Sequence, residues 1–193
     1  MGGVIYPDSA DKAARFVMDC NQSNFPIVFF QDVTGFMVGR DAEQSGIIRS
    51  GAKLVNAVSN SIVPKITVVV GGSFGAGNYA MCGKAYDPRF ILAWPTARYA
   101  VMGAAQASDT VFSILARARD RGDKKASPEE LEELRAKVKA SYEEQTDIRY
   151  GAARGWVDAI IQPHETREVL IQLLGYVSRS MPKAHFHTGV IQV

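Results

Sequence analysis

The sequence predicts an α/β fold in which helices cover a buried, mostly parallel sheet. Three observations predict it. Short β-branched runs alternate with helical stretches. Two strand ends run directly into glycine-containing loops, where strands of parallel sheets turn into helices and where ligands of such sheets bind. Nine of the 22 basic and nine of the 20 acidic residues fall between Arg117 and Arg149, which leaves the rest of the 193-residue chain unusually apolar. A chain of this length buries roughly 70% of the surface its unfolded form exposes, so one domain with one core is expected.

The elements follow in order. Residues 3–6 read as a first strand and 9–22 as the helix after it. Strand 27–31 leads into the loop Asp32 to Gly39 and helix 42–59. Strand 66–70 leads into the loop Gly71 to Asn78 and a short helix over 77–83. Strands 90–93 and 99–102 follow, then helices 106–119 and 128–150, strand 157–161 and helix 165–178. The tail 181–193 begins with Pro182, ends apolar, and is expected to pack on a neighbouring surface. The charged stretch, about 117–150, reads as a solvated helical excursion, with a docking surface as the alternative. Ser127 N-caps its helix, Pro128 takes the first helical position, and Glu130 completes a capping box. Glu132/Arg135 and Glu133/Lys137 stand at attractive helical spacing, and Arg135/Lys139 at repulsive spacing.

A net charge of +2 excludes duplex DNA or an anionic membrane as the dominant partner. Cys20 and Cys82 form no CxxC, so neither a disulfide framework nor a thiolate metal site is encoded, and a reducing compartment fits. No basic flank precedes an apolar leader, and no apolar run approaches the roughly 20 residues of a spanning helix. The expected location is the cytoplasm or an organelle matrix.

The glycine loops carry the chemistry. Gly75, Ala76 and Gly77 let a ligand approach the backbone, and a helix starting there presents unpaired N–H groups, the outline of an oxyanion hole. Tight strand–helix packing explains the same glycines. Gly71-Gly72-Ser73-Phe74-Gly75 also spells the G-x-S-x-G nucleophile elbow between a strand and a helix, which makes Ser73 a candidate nucleophile. Its triad context is thin, because His164 follows Pro163 in a loop and His185 and His187 lie in the tail. The dinucleotide fingerprint is missing, and His185 with His187 lacks a third metal ligand.

Pro26 to Gly39 and Gly71 to Gly83, with Pro88-Arg89-Phe90 and Trp94-Pro95, resemble the carboxyltransferase (β) subunit of biotin-dependent acyl-CoA carboxylases. The methylcrotonyl-CoA branch is nearest, with the geranyl-CoA and propionyl-CoA branches as neighbours. The resemblance runs from about Gly2 to Val193 and covers only the C-terminal half of such a subunit. It implies a crotonase-like fold, the ββα superhelix of the ClpP/crotonase type. The N-terminal half, which binds acyl-CoA, is then expected from the rest of a longer polypeptide or from a second one.

The resemblance further implies transfer of a carboxyl group from carboxybiotin to a small acyl-CoA of the 3-methylcrotonyl type. Biotin is expected on a partner, the biotin carboxylase or biotin carrier subunit, with no metal in this chain and a homo-oligomeric assembly. The Ala76 and Gly77 N–H groups would be the oxyanion donors, and a branched side chain at Gly77 is expected to block approach to them while leaving the fold intact. Thr34, Gly35, Phe36 and Gly75 would line the biotin and acyl pocket, with Tyr79 facing the acyl group. Thr34 stands where propionyl-type members carry proline. A crotonase-type or serine hydrolase using Ser73 and a non-catalytic assembly module are the alternatives.

Overall fold

The computed structural model describes residues 3–120, 127–181, 184–189 and 191. In chain order the elements are β1 (Val4–Ile5), α1 (Pro7–Gln22), β2 (Ile27–Val33), β3 (Gly35–Phe36), α2 (Arg40–Gln44), α3 (Ile47–Asn60), β4 (Lys65–Phe74) and α4 (Gly75–Ala80). They continue as β5 (Phe90–Ala93), β6 (Arg98–Ala100), α5 (Ala104–Asp120), α6 (Pro128–Thr146), α7 (Ile148–Ala152), β7 (Ala159–Ile160) and α8 (Thr166–Val177). The main sheet has the order β2-β4-β5-β7, β6 pairs with the far end of β4, and β1 pairs with β3. Every one of these pairings is parallel.

Strand patterns explain the layers. β2 alternates, with Ile27, Phe29, Gln31 and Val33 buried and Phe30 and Asp32 exposed. Ile66 to Val69 of central β4 are buried on both faces, as a strand between two helical layers requires. On one face, Ala10, Ala14 and Val17 of α1 and Leu54, Ala57 and Val58 of α3 pack with Ile27, Phe29 and Val33. On the other, Val169, Leu170 and Leu173 of α8 pack on Val68, Leu92 and Ile161. Lys65 is buried where α3 ends, and its Nζ donates to the Ser61 carbonyl (2.9 Å), favourable charge at a helix C-terminus.

Three expectations change. The helix expected over 42–59 is two, because Gly46, at φ +89°, takes a left-handed conformation between α2 and α3. The helix expected over 128–150 also divides, at extended Asp147, whose carboxylate accepts from the Arg149 N–H (2.9 Å) and pairs with Arg98 (3.2 Å). Gly71 to Phe74, expected as loop, continues β4, with Gly72, Ser73 and Phe74 paired to Arg98, Tyr99 and Ala100. A shift in the β2–β4 register after Gln31 accompanies this, and the Gly72 N–H is taken by the Asp32 carboxylate (2.9 Å).

In the charged stretch α5 and α6 form a helical hairpin, and the capping box at Ser127 is present. Arg135 pairs with Asp109 of α5 (3.0 Å) across the hairpin instead of with Glu132. Arg121, Asp123, Lys124 and Lys125 lie outside the described residues, as do positions 182, 183, 190, 192 and 193 of the tail. Of the tail's described part, Met181 packs on the α1–α3 core, and the Thr188 carbonyl accepts from Asn56 (3.1 Å).

Candidate functional site

The β4–α4 turn builds the site. At Gly75 the backbone reverses with φ +51°, and a Cβ there would lie 2.8 Å from the Val101 carbonyl oxygen, so conformation and space both demand glycine. The N–H groups of Ala76 and Gly77 fall in the first turn of α4, where no intrahelical acceptor exists, and neither has another acceptor among the described residues. Ala76 is exposed and Gly77 is buried.

Gly77 is small for a different reason from the one expected. A Cβ there would sit 2.7 Å from Val33 Cγ2 and 3.1 Å from Gly35 Cα, beneath α4. A branched side chain would therefore force α4 off β2 and β3, so the expectation of an intact fold fails. Here the tight-packing explanation of the glycine holds.

Two cavities flank α4. One, of about 280 Å³, has apolar walls of Phe36, Met37, Val38, Ile47, Ile48 and Val55 and includes Ala76. The other, of about 410 Å³, is lined by Gly75, Asn78, Tyr79, Lys84, Tyr99 and Trp156, among others. The expected residues thus divide: Phe36 with Ala76 on one side, Gly75 with Tyr79 on the other. Thr34 and Gly35 line neither. The Thr34 hydroxyl and N–H both donate to the Gly3 carbonyl (2.8 and 2.6 Å), which ties the loop to the start of β1. Gly35 lies under Gly77.

Behind the turn is a buried polar cluster. Ser73 Oγ donates to Gln31 Oε1 (2.6 Å) and accepts from Asn78 Nδ2 (2.7 Å). Gln31 Nε2 donates to the carbonyls of Met81 (2.6 Å) and Asn78 (3.4 Å). The Tyr99 hydroxyl donates to Asn78 Oδ1 (3.4 Å), and burial pushes its pKa up. Ser73 is completely buried with its hydroxyl committed, and no histidine partners it, so the nucleophile reading is overturned. His164 stands exposed in the short turn Pro163–Glu165, and His187 Nδ1 accepts from the Gly189 N–H (3.0 Å). Gln31, Asn78, Tyr99 and Trp156 were not singled out from the sequence. Only Gln31 left a signal, a polar residue at an inward position of an alternating strand.

A model of the carboxyl transferase domain matches residues 1–183. The chain belongs to the carboxyl transferase domain family. It is 48% identical over 168 residues to a probable mitochondrial methylcrotonoyl-CoA carboxylase beta chain of Drosophila melanogaster, covering 87% of this chain and 29% of that protein. It is 46% identical to the biotin-dependent 3-methylcrotonyl-coenzyme A carboxylase beta1 subunit of Mycobacterium tuberculosis, covering 87% of this chain and 32% of that one. The chain thus spans about three-tenths of the length of these relatives, within their C-terminal half. Among solved structures, the beta subunit of geranyl-CoA carboxylase from P. aeruginosa superposes with a TM-score of 0.81 at 43% identity, over 97% of this chain and 36% of that one. The transcarboxylase 12S structure gives 0.84 at 33% identity, over 98% and 35%. The α/β fold is therefore crotonase-like, as the carboxyl transferase resemblance implied.

Proposed function

We propose that this chain is the C-terminal carboxyltransferase half of a biotin-dependent acyl-CoA carboxylase, acting on a small acyl-CoA of the 3-methylcrotonyl type. The observation that carries the proposal is the β4–α4 turn, where exposed Ala76 and its first-turn N–H donors meet an apolar cavity. Bound carboxybiotin would supply the activated carboxyl group, together with a ureido oxygen that calls for hydrogen-bond donors. The Ala76 and Gly77 N–H groups would donate to such an oxygen. One preorganised donor of this kind is worth roughly 10²–10³ in rate. The residues fit the group: Phe36, Met37, Val38, Ile47 and Ile48 offer apolar walls to a neutral ring system, and among the described residues the only charged side chain lining that cavity is Glu43.

Across α4, Gly75, Tyr79, Tyr99 and Trp156 offer an aromatic surface for the acyl group. Thr34 and Gly35 act from behind, by holding the loop and seating α4. The partners are acyl-CoA, an N-terminal carboxyltransferase half and a biotin carboxylase or biotin carrier subunit, in a homo-oligomer. The description of the 12S transcarboxylase as a hexamer supports such an assembly. The location is the cytoplasm, or the mitochondrial matrix in a eukaryote. No helix among the described residues is long and apolar enough to cross a membrane.

The test is to complete the enzyme with the N-terminal half and a carboxylated biotin carrier and to follow carboxylation of 3-methylcrotonyl-CoA. Ala76→Leu, at an exposed position, should unfold at the wild-type temperature and lose roughly 10²-fold or more in kcat. Wild-type turnover in that variant would remove the turn from the mechanism.

A further inference from the structure

The G-x-S-x-G serine has a part to play other than as nucleophile. Ser73 is the last residue of β4 paired with β2, just before the turn, and Gln31 projects inward from β2 beside it. The Gln31 side chain accepts from the Ser73 hydroxyl at the start of the turn and donates to the Asn78 and Met81 carbonyls at the far end of α4. Asn78 closes the loop by donating to Ser73 Oγ, and its backbone carbonyl also accepts from the Gly83 N–H (2.8 Å). Reversing Gln31 would set its oxygen against the Met81 carbonyl, and reversing Asn78 would set its oxygen against Ser73 Oγ, whose hydrogen is already given to Gln31. The cluster therefore has one satisfied arrangement, and that arrangement fixes both ends of α4 against β2.

We propose that Ser73 is a positioning residue for carboxyl transfer, acting through Gln31 and Asn78 to set where the Phe74–Gly77 backbone lies. The inference rests on the reading of Ala76 and Gly77 as donors. Removing the hydroxyl leaves Gln31 Oε1 without its donor and Asn78 Nδ2 without its acceptor in a site closed to water, so both side chains must turn to find partners. α4 then shifts with them. A misplacement of about 1 Å in catalytic geometry costs on the order of 10²-fold in rate.

The experiment uses the complete enzyme, assayed well below its unfolding temperature, with the folding of each variant checked first. Ser73→Ala should lower kcat roughly 10- to 10²-fold with the KM for acyl-CoA within about twofold. Ser73→Cys, nearly isosteric and a weaker hydrogen-bonding group, serves if the alanine variant does not fold, and should lie between. Restoring a hydroxyl with Ser73→Thr should recover most of the kcat. A folded Ser73→Ala or Ser73→Cys with wild-type kcat shows a role in stability alone and overturns the inference. Covalent labelling of wild-type Ser73 by a fluorophosphonate also overturns it, because the hydroxyl would then be accessible and nucleophilic. A wild-type enzyme that transfers no carboxyl group refutes the parent reading and this one with it, whereas a transferring wild type matched by Ser73→Ala refutes only this one.

Discussion

Gly77→Ala tests whether α4 is seated by contact with β2 and β3. The added Cβ would stand 2.7 Å from Val33 Cγ2 and 3.2 Å from Val33 Cγ1, with Gly35 Cα at 3.1 Å. Val33 is 4% exposed and its methyls lie in the core, so it cannot swing into solvent to make room. Overpacking of this kind costs about 1–3 kcal/mol, against about 1 kcal/mol gained by replacing glycine with alanine in a helix. The net expectation is a loss of about 0–2 kcal/mol, read as a lower urea midpoint at unchanged slope. Val33→Ala removes the colliding methyls at its own cost of about 2 kcal/mol. In that background Gly77→Ala should be neutral or stabilising, a coupling of about 1–3 kcal/mol between the two positions. Absence of coupling between Gly77→Ala and Val33→Ala would refute the close seating of α4. It would also reopen the idea that bulk at Gly77 acts only on ligand approach.

Two further outcomes follow from local chemistry. Burial pushes the Cys82 thiol from 9.0 up to about 11. Because the folded pKa is the higher one, the stabilisation is whole below pH 9 and is lost as pH rises toward 11, up to about 3 kcal/mol. Cys82→Ala should flatten that alkaline fall in chemical denaturation measured from pH 8 to 11, and an unchanged slope would show that the thiol titrates normally. Ser127→Ala removes the hydroxyl that accepts from the Glu130 N–H (3.2 Å), so the first turn of α6 should fray by about 1 kcal/mol. Hydrogen exchange should speed up at the start of α6 while the amides of β4 stay protected.

Much of the fold was legible because its signals are local. The boundaries of β5 were expected as found, and the α6 capping box follows from three residues, Ser127, Pro128 and Glu130. The helix breaks at Gly46 and Asp147 were not read, since each depends on how the chain must bend to reach its next neighbour. The extension of β4 through two glycines was hidden for the same reason. Strand propensity opposes it, and pairing with β6 together with the Asp32 contact at Gly72 supplies what propensity does not. The glycine loop was legible as a site. Its division into two cavities was not, because Tyr99 and Trp156 reach it from distant parts of the chain.

That division gives α4 two roles at once. Its six residues separate the Phe36 cavity from the Tyr79 cavity, so a shift of the helix toward one side changes both. On the proposed reaction the group that gives up carboxyl and the group that accepts it must come within about 3–3.5 Å of each other, and the adjacent residues Gly75 and Ala76, each lining one cavity, are where the two sides approach. That approach also explains why the polar cluster lies behind the helix. A donor fixed by its own side chain would place only one partner, whereas Ser73, Gln31 and Asn78 fix the backbone from which both sides are measured. The rims fit the same account. Val38 and Ile48 beside the first cavity are 79% and 75% exposed, and Val101 beside the second is 80% exposed. Apolar residues left so open at both mouths are what a second carboxyltransferase half would cover, bringing the acyl-CoA with it.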